Sequence, residues 1–112
     1  MKLDVDALGV SRDRIVAALR AEGVPGVMMG YQNVHLLPIF RNKIAYGANG
    51  FPWTLAEREI TYGPGVCPVA EDLHARTFFG INLCMCEFHP QDVEAVIGAF
   101  RKVWDGLDAL KA

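Results

Sequence analysis

Three polar side chains at alternate positions, Tyr31, Asn33 and His35, stand in the otherwise apolar stretch GYQNVHLLPIF. Alternate residues of an extended chain share a face, so a phenol hydroxyl, a carboxamide and an imidazole could converge there on one small polar ligand. These three are the candidate cleft residues. The plainer use of the same side chains is local, with His35 capping the short HLLPIF turn and Asn33 bonding its own backbone. A second constellation, Cys84, Cys86 and His89, has the spacing C-x-C-x-x-H. Thiolates and imidazole are natural zinc ligands, but a structural zinc site takes four ligands at paired spacings, and only Cys67 and His74 remain to complete one. The expectation is therefore no metal site, with Cys84 and Cys86 in the core or on a sheet face.

Other chemistries find less support. Ser11 is the only serine and is best used as a helix cap, so no hydrolase triad can be built on it. Cys67 before a short helix, with His74 one or two turns on, could be drawn as a nucleophile and base, against the simpler reading of a small apolar residue at a helix start. The Gly-rich run YGANGFPW lacks both phosphate-loop patterns. Glu57 with Glu59, and Glu71 with Asp72, read as solvated acidic faces. No catalytic residue is assigned.

The elements that would position these groups follow from periodicity and punctuation. KLDV is a short candidate strand, and Ser11 caps a helix carrying Ile15, Ala18, Leu19 and Glu22, ended by Gly23 and Pro25. GVMMGY reads as extended. Residues 41–65 hold Gly47, Gly50, Gly63, Gly65, Pro52 and Pro64, which predicts a long irregular excursion dense in aromatics, namely Tyr46, Phe51, Trp53 and Tyr62. Pro68 opens a short helix over CPVAEDLHAR, FFGINLCMC alternates as a strand, and Pro90 starts a long helix. Its stripe is Val93, Val96, Ile97, Phe100, Val103, Trp104, Leu107 and Leu110. The order predicts an α/β (α+β) two-layer sandwich, with a small antiparallel or mixed sheet and the terminal helix packed on one face. A third strand is expected within residues 24–31 or 58–63.

At 112 residues and 52% apolar composition, residues 1–112 suit one small domain with one core. A net charge of −2, with the cations scattered, argues against a nucleic-acid partner. No apolar run is long enough to span a bilayer, and MKLDVDALGV lacks the apolar core of a secretory signal, so no membrane role is expected. Three cysteines without a disulfide spacing suit reduced thiols. Together these predict a soluble, cytoplasmic protein.

Taken in order, RDRIVAALRAEGVPG, HLLPIF, CPVAEDLH, a strand and the terminal DVEAVIGAFRKVW resemble the carboxy-terminal small domain of pyridoxal-phosphate-dependent sugar aminotransferases of the DegT/DnrJ type. The resemblance covers almost the whole chain. The family's helix and its following H-x-x-P-x-(F/Y) segment are matched at Arg12, Asp13, Leu19, Gly23, Val24, His35, Pro38 and Phe40. Met29 and Gly30 stand where His-Tyr is usual, and Asn33 where proline is common. The resemblance implies a fold like the small domain of fold-type-I aminotransferases. It also implies a segment at the substrate cleft, with Tyr31, Asn33 and His35 facing a sugar-like or cyclitol-like ketone. The family's chemistry uses pyridoxal phosphate, held by a lysine and an acid of a large domain; Lys2, Lys43, Lys102 and Lys111 match no such context. The chain is therefore expected to hold no cofactor and to be inactive alone. Its partner would be the missing cofactor-binding large domain or a second copy in a homodimer. Two other readings stand beside this one: a free-standing small-molecule-binding or regulatory module around His35, and a metal-binding protein using Cys84, Cys86 and His89.

Overall fold

The computed structural model describes residues 1–47, 49–85 and 87–111, so the Cys86 part of the C-x-C-x-x-H reading lies outside the described residues. The chain is mixed α/β and divides into two compact units, Met1–Gly30 with Ala75–Ala112, and Tyr31–His74.

In the first unit, α1 (Val5–Leu8) is a single turn. It replaces the strand expected at KLDV. Lys2 makes one antiparallel bridge to Phe78 and Leu3 N–H donates to the Thr77 carbonyl at 2.8 Å, but the Asp4 carboxylate then accepts from Ala7 N–H at 3.1 Å and caps a helical turn. Capped by that short acidic side chain, the chain turns into a helix and the pairing goes no further than Leu3. Helix α2 (Arg12–Ala21) starts where Ser11 Oγ accepts from Arg14 N–H at 3.4 Å. It stops in a Schellman arrangement, with Gly23 at φ +84°, Val24 N–H on the Leu19 carbonyl and Gly23 N–H on the Arg20 carbonyl.

Strand β1 (Val27–Met29) pairs antiparallel with β2 (Phe79–Ile81), Met28 opposite Gly80. These are the two strands among the described residues; 24–31 supplies β1 and 58–63 supplies none. The FFGINLCMC strand is shorter than expected, because Leu83–Met85 turns into a 3-10 helix. Helix α5 (Pro90–Asp105) begins at His89, whose backbone N–H donates to Asp92 Oδ2 at 2.8 Å. A 3-10 turn over Leu107–Leu110 follows.

The buried apolar core consists of Leu3, Val10, Ile15, Val16, Leu19, Val24, Val27, Phe79, Ala99 and Val103, all in this unit. The apolar faces of α2 and α5 meet each other and α2 meets β1, which removes their side chains from water. Arg20 fastens α2 to the strand, its Nη2 donating to the Val27 carbonyl at 2.8 Å.

The second unit contains a 3-10 turn at Val34–Leu36, α3 (Pro38–Arg41), a 3-10 turn at Trp53–Leu55 and α4 (Pro68–Asp72). Helix α4 runs into a π-helical turn over Leu73–Thr77. Among its described residues no apolar side chain is fully buried. Phe40, Trp53 and Tyr62 form an aromatic cluster in it: the Phe40 ring lies 6.1 Å from Trp53 and 5.5 Å from Tyr62, and Trp53 Nε1 donates to the Tyr62 hydroxyl at 3.1 Å. Two of the excursion's aromatics thus fold inward, while Tyr46 and Phe51 are exposed.

Candidate functional site

The polar network of the second unit is centred on Glu71. Pro68, at the first helical position, starts α4 and sets Glu71 one turn inside it. From there the carboxylate turns back over the segment entering the helix. Gly65 N–H donates to Oε1 at 2.9 Å and to Oε2 at 3.0 Å, and Cys67 N–H to Oε1 at 3.4 Å. His35 Nε2 meets Oε1 at 2.8 Å, with the His35 side chain 11% exposed and that of Glu71 26%. The Gly65 N–H, foremost, then the His35 ring and the Cys67 N–H hold the Glu71 carboxyl below the usual glutamate range, against the opposing effect of burial.

Tyr31 is tied down beside this network. Its backbone N–H donates to His74 Nδ1 at 3.0 Å, its hydroxyl donates to the Ala70 carbonyl at 3.2 Å, and its ring meets that of His74 edge-on at 5.8 Å. An Nδ1 that accepts leaves the proton on Nε2, so this contact selects the His74 tautomer. Asn33 is 7% exposed, and its Oδ1 is buried without a hydrogen-bond partner. Buried polar atoms are nearly always paired, so this carbonyl carries a cost.

The three sequence candidates do not lie along one extended run, because a 3-10 turn over Val34–Leu36 takes in His35 and begins directly after Asn33. Tyr31 spends its hydroxyl on α4, Asn33 points into a buried place, and His35 is held by Glu71. The local alternative does not describe them either: Asn33 makes no side-chain capping bond to the turn that follows it, and His35 gives its Nε2 to Glu71. Glu71 is the residue that sequence reasoning passed over as half of a solvated acidic pair. Its position one turn after a Pro-initiated helix start, able to reach back to unpaired amides, was the available signal.

Cys67 lies exposed at the start of α4, and His74 presents its Nδ1 to Tyr31 rather than to the thiol. Cys84 is also exposed, in the turn after β2 instead of in the core or on a sheet face, since the strand ends at Ile81. Among the described residues no group of three or more His, Cys, Asp or Glu side chains is arranged to hold a metal ion, and no helix is long and apolar enough to cross a membrane.

A cofactor-anchoring amine would have to be one of four lysines. Lys102 Nζ pairs with Glu22 at 2.8 Å and Lys111 Nζ with Asp108 at 2.6 Å, Lys2 is exposed, and Lys43 lines a surface hollow of about 370 Å³ with Glu57, Arg58 and Glu59. None of the four is buried.

No family model, curated protein or solved structure matches the chain.

Proposed function

We propose that the chain is the cleft-forming small domain of a pyridoxal-phosphate-dependent keto-sugar or cyclitol aminotransferase of the DegT/DnrJ type, inactive by itself. The observation that carries this reading is the make-up of residues 31–74. A polar network fixes His35 on Glu71 while the apolar side chains around it, including Val34, Ile39, Val66 and Val69, remain on the surface. A segment that orders its polar groups but fully buries none of its own apolar ones is built to be covered. The order of the sequence segments supports the same reading, as does the two-stranded sheet with a long terminal helix, which we take as the two-layer sandwich of a fold-type-I small domain.

In this reading the covering body is the cofactor-carrying large domain. The segment carrying Tyr31, Asn33 and His35 is one wall of a cleft for a sugar-like ketone between the two, with Asn33 buried beneath that wall, His35 held by Glu71 and Tyr31 holding the segment against α4. The chain's own part is to bind, orient and exclude water; the group transfer belongs to the partner. The test is a chimaera in which these 112 residues replace the small domain of a DegT/DnrJ-type aminotransferase. Glutamate-dependent amination of a keto-sugar is expected, with a higher KM in the chimaera carrying His35→Ala. A folded chimaera that retains the cofactor's visible absorbance yet aminates nothing overturns the proposal.

A further inference from the structure

Helix α5 uses only part of its apolar surface inside the molecule. Val96, Ala99 and Val103 form its inward face, with Ala99 and Val103 buried and Val96 packed against the core. A second stripe lies next to it. Val93, Ile97 and Trp104 are 46%, 37% and 38% exposed, and Phe100 lies among them. These four recur at intervals of four, three and four residues, the d-a-d-a seam of a coiled coil. The seam is stiff, because Trp104 stacks on Phe100 at 5.9 Å and Phe100 on the buried Phe79 at 6.4 Å. One flank of the seam is the core itself, with Val96 and Val103 at g. The other, solvent-facing flank carries Glu94 and Arg101 at e, both exposed.

We propose that this stripe is a self-association surface on which a second copy of the chain packs its own α5 in antiparallel orientation about a two-fold axis. The charges single out that partner. A two-fold axis perpendicular to the plane of two antiparallel helices keeps the same flank of both on the same side while reversing their direction. With the axis level with the middle of the stripe, Val93 meets Trp104 of the other copy, Ile97 meets Phe100, and Glu94 meets Arg101, each pair occurring twice. In a parallel pair the e positions would face g positions, which here are Val96 and Val103 in the core, and Glu94 and Arg101 would lose their partners. The contact is small, so the dimer is weak and reversible, with a dissociation constant on the order of tens of micromolar. This surface lies in the first unit and does not depend on the function proposed for residues 31–74.

Sedimentation velocity of the full chain, from about one to several hundred micromolar, tests it. A concentration-dependent dimer is expected, abolished by Ile97→Glu. Glu94→Arg and Arg101→Glu should each weaken it roughly tenfold, because the two-fold doubles every change, and the double swap should restore it. All three sites are on the surface, so unchanged far-UV circular dichroism separates lost association from lost folding. A monomer at every concentration overturns the proposal. So does a dimer indifferent to these substitutions but broken by Leu55→Asp, or a double swap no tighter than the single ones.

Discussion

His35 Nε2 lies 2.8 Å from Glu71 Oε1 across thirty-six residues of sequence, and the same carboxylate gathers the backbone N–H groups of Gly65 and Cys67. One side chain thereby joins the 3-10 turn at Val34–Leu36, the loop before α4 and α4 itself. Charge-assisted bonds from backbone amides are among the stronger ones available to a loop.

Removing that carboxylate should therefore loosen a defined place. In Glu71→Ala, hydrogen exchange at the Gly65 amide is expected to quicken by about tenfold or more. Amides within α2, in the other unit, should keep their rates. Exchange followed by mass spectrometry or NMR reads both in one sample.

Acid should act on the same contact. The Glu71 carboxyl is held below its ordinary value in the folded chain, by Gly65 first and by His35 next. Its stabilising contribution is thus fully present above the ordinary glutamate pKa and is lost as pH falls through the lowered folded value. The Gly65 amide resonance should titrate below the ordinary glutamate range, and it should not titrate there in Glu71→Gln.

Stability should divide between the units as the core does. Leu19 is fully buried between α2 and the rest of the core, so Leu19→Ala is expected to cost about 3 kcal/mol in denaturant unfolding. Leu55 is 73% exposed, and Leu55→Ala should stay within about 0.5 kcal/mol of the parent.

Gly26 precedes β1 at φ +65°, and a Cβ placed there would lie 2.7 Å from the Asn82 carbonyl oxygen. Gly26→Ala combines an unfavourable backbone conformation with a clash against main chain that cannot swing away. A loss of about 2 kcal/mol or more is expected, read as a lower thermal midpoint.

What could be read in the sequence is what short-range rules control. Ser11, Gly23 and Pro25 bound α2 because caps and left-handed glycines act within a few residues, and the stripe from Val93 to Leu110 marked α5 through its period alone. The mixed class followed from the order of such elements. The strand expected at KLDV failed on one competing local bond, that of Asp4 to Ala7. The site was less legible. Tyr31, Asn33 and His35 were picked out by residue type, but Ala70 and His74, which hold Tyr31, and Glu71, which holds His35, lie about forty residues away, and a pairing at that distance leaves no periodic trace. Glu71 beside Asp72 has the look of any solvated acidic pair until the loop at Gly65 is brought back over it.

The central claim is that this chain shapes a cleft whose cofactor and anchoring amine belong to another body. The most direct measurement is transamination by the purified chain supplied with excess pyridoxal phosphate and glutamate. The expected rate equals that of the cofactor without protein. A faster rate, abolished by replacing Lys2, Lys43, Lys102 or Lys111, would contradict the account.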